Sequence, residues 1–239
     1  ALQTQNFTSA TDSFNTAVGF SAGNAVTTGT QNVLIGGLSG DAITTGANNV
    51  AMGTSSLGTC TTGTYNVALG DSALFATTTA SNNTAVGGGA LTANTTGASN
   101  VAVGRSALDA NTTGARNVAI GYDSLGANTT ASNNTAVGNA SLDANTTGTS
   151  NSALGRNALS ANTTANNNTA VGMNALLVNT TGAQNTSTGA ESLEANTTGD
   201  FNTAYGYAAL EANTTADDNT AVGAYALLRN TTGYGNAAV

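Results

Sequence analysis

The chain has 239 residues, with 12 acidic and 4 basic side chains, no histidine and a net charge of −8. Only 7% of its residues are charged and 5% aromatic against 39% hydrophobic, which fits neither a charged disordered tail nor a domain built on a large aromatic core. The basic residues are the arginines 105, 116, 156 and 229, too few and too scattered to make a stripe for nucleic acid, and no apolar run is long enough to span a membrane.

Residues 1–14 keep no clear period and are predicted to be a cap or a transition from a preceding segment; the start at Ala1-Leu2-Gln3, without Met or an apolar leader, reads as a processed product or an excerpt. From Asn15 a unit of 17 residues repeats to the C-terminus without insertion or deletion, its first residue Asn at 15, 32, 49, 66, 83, 100, 117, 134, 151, 168, 185, 202, 219 and 236. The unit reads N-[TV]-A-[VIL]-G-x-x-[AS]-L-x-A-N-T-T-[GA]-x-x. It is too short for a helical pair, which takes roughly 30 residues, or for a leucine-rich repeat of about 20 to 29. The sequence therefore predicts an all-β fold, a β-solenoid (β-roll or β-helix) with one repeat per rung and parallel strands, formed by residues 15–239 as a single solenoid of thirteen full repeats and a partial fourteenth. At about 4.8 Å per rung, thirteen rungs make a rod roughly 60 to 70 Å long.

Within the repeat, columns two to four read as a strand. Column four (Val18, Ile35, Met52, Leu69 and onward) is apolar and is predicted to face the core, with the β-branched column two on the same side. The near-constant Ala of column three, broken by Leu34 and Ser187, is then predicted to point outward against a second chain. Gly at column five, invariant from Gly19 to Gly223, marks a corner needing positive φ or close backbone approach. Columns eight and nine, Ala or Ser followed by Leu, form a second core-facing segment, with Gly23 and Gly40 replacing the first two leucines.

Column twelve is Val26, Ile43, Cys60 and Thr77 in early copies and Asn from Asn94 onward. A column that holds Val, Ile and Cys faces inward, so its asparagines are predicted to form a hydrogen-bonded ladder (Asn94, Asn111, Asn128, Asn145), with column one as a second (Asn83, Asn100, Asn117, Asn134). Nine Asn-Thr-Thr triplets match the N-glycosylation pattern, and the inward placement argues against sugar on them. Cys60 reads as a small buried hydrophobe.

The recurring Asn117-Val118-Ala119-Ile120-Gly121, Asn100-Val101-Ala102-Val103-Gly104 and Asn-Thr-Ala-Val-Gly strings resemble the head repeats of trimeric autotransporter adhesins, the YadA-like heads, and similar runs in phage and viral tail fibres. The resemblance covers 15–239. It implies parallel β-rolls packed as a homotrimer, displayed extracellularly on a cell surface or virion fibre, binding a host or matrix receptor, possibly a glycan. This chain departs from the adhesin head in its longer period and added Asn-Thr-Thr-Gly segment.

Without His or Lys, and with its carboxylates scattered, the chain offers no evident catalytic or metal-binding constellation, and no enzyme activity or cofactor is expected. Two further readings stay open. Unbroken Thr columns thirteen and fourteen suggest an ice-binding array, although neighbouring strand residues face opposite ways. A rung left open at Val239 suggests end-to-end assembly into an extracellular filament. Variable columns supply the candidate surface-binding residues Tyr65, Tyr122, Tyr207, Tyr225, Tyr234, Arg105 and Arg156, together with Arg116.

Overall fold

The computed structural model describes residues 2–5 and 12–239, which fall into two compact units, Ala1–Asn117 and Val118–Val239. Both are parallel β-solenoids with the 17-residue period, and the described residues contain no helix. The first unit carries β1 (Thr16–Val18), β2 (Val33–Ile35), β3 (Val50–Met52), β4 (Val67–Leu69), β5 (Thr84–Val86) and β6 (Val101–Val103), paired in sequence order. The second carries β7 (Val118–Ile120), β8 (Thr135–Val137), β9 (Ser152–Leu154), β10 (Thr169–Val171), β11 (Thr186–Thr188), β12 (Thr203–Tyr205), β13 (Thr220–Val222) and β14 (Ala237–Ala238). Register is fixed at one repeat, as in Thr84↔Val101 and Thr135↔Ser152.

Only columns two to four are strand, yet hydrogen bonds tie successive rungs all the way round. The Thr84 N–H donates to Asn100 O at 2.8 Å, Gly87 N–H to Leu69 O at 2.8 Å, Leu74 N–H to Ala90 O at 3.0 Å and Thr95 N–H to Thr112 O at 2.9 Å. Backbone groups left unpaired by the short strands are thus satisfied by the same contour one rung away.

Glycine is required at column five for two reasons. At Gly53 φ is +140°, and a Cβ there would lie 2.4 Å from Gly70 O on the next rung. No L side chain fits either condition.

The in–out assignment of the strand is the reverse of the one the sequence suggests. Column three faces the interior: Leu34 and the alanines from Ala51 to Ala221 are buried, and Ser187, buried likewise, donates its hydroxyl to Ser192 O at 2.8 Å. Columns two and four face outward, with Val18 58%, Leu154 51% and Tyr205 61% exposed. The reason is width. The interior also holds the Leu of column nine and the Asn of columns one and twelve, so opposite them only Ala fits. The close packing that keeps column three small is internal.

Those leucines occupy the left-handed region, for example Leu142 at φ 51° and Leu108 at φ 55°. Such a backbone costs about 1 to 2 kcal/mol, and complete burial of a leucine side chain contributes about 1.5 to 3 kcal/mol, so burial prevails. The glycines at 23 and 40 have the same backbone, at φ 59° and 54°. Their missing volume is filled by Leu34, the one large residue of column three: a Cβ on Gly40 would lie 2.7 Å from Leu34 Cδ2, and one on Gly23 2.8 Å from Leu34 Cδ1. These rungs are refilled from the other side.

Of the expected cap, residues 6–11 lie outside the described residues. Leu2 and Thr4 lie along the first rung, with Leu2 N–H donating to Ala22 O at 3.1 Å and Thr4 Oγ1 to Asn24 O at 2.7 Å.

Volume exchange across the interior gives a direct test. Ala136→Leu should cost about 1 to 3 kcal/mol through overpacking, and adding Leu142→Gly should recover part of it, reproducing the Leu34–Gly40 pairing. Val137→Leu should stay within about 0.5 kcal/mol because the side chain points out. Equal effects of the two single changes in denaturant titration would contradict the inward placement of column three.

Candidate interior ladders and binding surfaces

A column-one asparagine ladder runs through each unit, and from Asn94 onward a second ladder in column twelve meets it on shared carbonyls. In column one, each Asn Oδ1 accepts the backbone N–H of the next Asn, as Asn168 N–H to Asn151 Oδ1 at 2.9 Å, while its Nδ2 donates across the rung to column fifteen, as Asn168 Nδ2 to Gly182 O at 2.8 Å. In column twelve, Asn179 Nδ2 donates to Asn162 Oδ1 at 3.2 Å and to the same Gly182 O at 2.8 Å. Each such carbonyl uses both lone pairs on side-chain amides.

The asparagines singled out from the sequence all belong to this arrangement and are buried: Asn83, Asn100, Asn117 and Asn134 in column one, and Asn94, Asn111, Asn128 and Asn145 in column twelve. Gly97 O receives Asn83 and Asn94, each at 2.9 Å, and Gly114 O receives Asn100 at 2.8 Å and Asn111 at 3.0 Å. With their amide nitrogens enclosed, the Asn-Thr-Thr asparagines from Asn94 to Asn213 have no room for an N-linked sugar in the folded chain.

Early rungs fill column twelve differently. Val26, Ile43 and Cys60 are fully buried, and burial pushes the Cys60 thiol up to about 11, which keeps it protonated and inert. Thr77 is the junction: its hydroxyl donates to Asn94 O at 3.1 Å and accepts from Asn94 Nδ2 at 3.4 Å.

The Thr columns also divide. Column-thirteen hydroxyls are spent on the ladder, as Thr44 Oγ1 to Thr61 O and Thr180 Oγ1 to Thr197 O, both at 3.1 Å. Column fourteen is exposed. A single outward Thr column remains on that face, where an ice-binding array calls for two.

The surface candidates Tyr65, Tyr122, Tyr207, Tyr225, Tyr234, Arg105 and Arg156 are all exposed. Among the described residues one ring pair forms: Tyr207 and Tyr225 meet edge to face, centroids 5.2 Å apart and planes at 89°. Around them stand carboxylates from columns seven and ten of the repeat. The Glu191 carboxylate beside Tyr207 raises its phenol, with a further contribution from Glu211. The Glu194 carboxyl is raised by burial, then by Glu191 and Glu211. Their proximity was hidden because column seven of one rung lies beside columns six and ten of its neighbours. Elsewhere two carboxylates tie rungs together: Ala183 N–H donates to Asp200 Oδ1 at 2.6 Å, and Asp200 N–H to Asp217 Oδ1 at 2.7 Å. Among the described residues no group of three or more His, Cys, Asp or Glu could hold a metal ion, and no helix is long and apolar enough to cross a membrane.

Comparison with protein-family models, curated proteins and solved structures finds no match to this chain.

The interior ladder makes a graded prediction. Asn145→Ala strips Gly148 O and Asn128 Oδ1 of a donor and Asn162 Nδ2 of an acceptor. It should lower unfolding free energy by about 1 to 3 kcal/mol. Thr147→Ala, on the exposed column beside it, should change it by no more than about 0.5 kcal/mol. Chemical denaturation of both variants decides the matter; an Asn145→Ala protein as stable as Thr147→Ala would mean that the ladder carries no net stability.

Proposed function

We propose that the chain is a structural rod of an extracellular fibre or adhesin, on a cell surface or virion, in which three copies associate laterally through the outward strand face and present their variable columns to a host or matrix receptor. The observation that carries this reading is the distribution of charge. From Asn15 onward every charged residue falls in columns six, seven, ten, eleven, sixteen or seventeen. Columns two and four carry none at any rung, and they present chiefly Val, Ile, Leu, Met and Thr, with Ser152 and Tyr205 among them, on the outward side of the strands.

Such a face favours a second copy of the same chain. Its rung spacing matches itself, and a net charge of −8 held on other columns leaves no like charges facing one another when two strand faces meet. Burying outward Val and Leu removes apolar area from water at about 25 cal/mol per Å². The interface therefore belongs to columns two and four instead of the alanines, which are inside. The resemblance to trimeric adhesin heads supplies the number of copies.

Light scattering tests the reading. The wild-type chain should show three times the chain mass of 23.1 kDa. Leu154→Glu, on the exposed face, should shift the mass toward one chain without altering the far-ultraviolet circular dichroism. A wild-type monomer at tens of micromolar would overturn the lateral-packing reading.

A further inference from the structure

We propose that Tyr207 and Tyr225, with Glu191 and Glu211 beside them, form a docking surface for a cationic side chain, an arginine or a lysine, presented by a partner protein. The assignment rests on the reading of the chain as a rod whose variable columns meet a receptor, and it names the chemistry of that contact.

The two rings come from successive rungs of the second unit. Tyr207 occupies column six and is 45% exposed, and Tyr225 occupies column seven of the next rung and is 56% exposed. Set edge to face with centroids 5.2 Å apart, they form an aromatic corner. An exposed aromatic corner loses little conformational freedom when a partner docks.

What surrounds the corner selects the occupant. The backbone ladder, with Ala208 N–H donating to Ala190 O at 3.0 Å and Tyr225 N–H to Tyr207 O at 2.8 Å, sets Glu191, Tyr207 and Tyr225 on adjoining rungs, and the Tyr207 phenol is raised by Glu191 with a further contribution from Glu211. Glu194 feels both carboxylates, its half-buried position crowding a third negative charge into the group. Carboxylates are acceptors only, and the faces of tyrosine rings carry negative charge density, so the surface offers several attractions to a cation and few donors to an anion. A guanidinium or ammonium brought by a partner would relieve the crowding. Arginine suits the corner better than lysine because its plane stacks on a ring while its N–H groups reach a carboxylate.

The test uses the whole chain and a short blocked arginine–glycine peptide, with the same peptide carrying citrulline for arginine as a neutral control of equal size. The chain contains no tryptophan and 6 tyrosines. Titration followed by nuclear magnetic resonance of the tyrosine rings should show the arginine peptide shifting Tyr207 and Tyr225, with the citrulline peptide about tenfold weaker or silent. Glu191→Gln combined with Glu211→Gln should weaken arginine-peptide binding about tenfold, Tyr207→Ala should do the same, and Tyr207→Phe should retain most of it because the ring is kept. All these positions are on outward columns, and unchanged circular dichroism confirms that each variant is folded. Equal binding of the citrulline peptide, binding that survives the double Glu→Gln change, or a neutral oligosaccharide shifting the two tyrosines while the arginine peptide does not, would each overturn the proposal. Light scattering on the same samples separates the two readings: a monomer that binds the peptide through these residues refutes lateral packing alone, and a trimer that ignores it refutes this surface alone.

Discussion

A buried interior must satisfy its own amides, and here, in the rungs from Asn94 onward, shared carbonyls do so by each accepting two asparagine side chains. Gly182 O, flanked by Asn168 and Asn179, shows the arrangement. Each Asn passes a hydrogen bond to the neighbouring rung, so the ladders bind rungs along the axis while the shared carbonyl binds two sides of one rung together. An unmet buried donor or acceptor costs about 1 to 3 kcal/mol, which makes a satisfied ladder a stringent constraint on register. A slip of one residue would leave every inward amide unpaired.

Volume is the second constraint, and it follows from the first. With the asparagines fixed inside, one large apolar residue per rung fills what remains, and Leu at column nine does so even in a left-handed backbone. Alanine at column three is the complement of that leucine. Leu34 opposite Gly23 and Gly40 shows the two columns exchanging bulk while the rung keeps its contour. The invariant column-five glycine has a separate cause in the carbonyl of the next rung, which occupies the space of a side chain.

Much of this was legible in the sequence. The unbroken period from Asn15 specifies a solenoid, and the change from Val26, Ile43 and Cys60 to Asn94 places column twelve inside, where the structure has it. Strand orientation was not legible. In a strand of three residues, apolarity on both sides removes the usual alternation, and Val at column four with Ala at column three favours the wrong side. Hydropathy ranks Val above Ala, whereas the deciding quantity here is the width left by Leu and Asn. The cluster of Glu191, Tyr207, Glu211 and Tyr225 was half legible: its tyrosines stood out as variable, but the carboxylates joined them only when neighbouring rungs were superposed.

Repetition separates two jobs. Inward columns, nearly constant, hold the rungs, while columns six, seven, ten, sixteen and seventeen vary. Columns two and four make an uncharged outward face, and the charged residues stand on other columns. All of it depends on the asparagine ladders, and hydrogen exchange of the side-chain carboxamides tests them most directly. The Nδ2 protons of Asn162, Asn168 and Asn179 should exchange only through cooperative unfolding, while those of Asn139, on an exposed column, exchange as in a free peptide. Exchange of the buried set at the rate of Asn139 would show that the ladders do not hold the rungs.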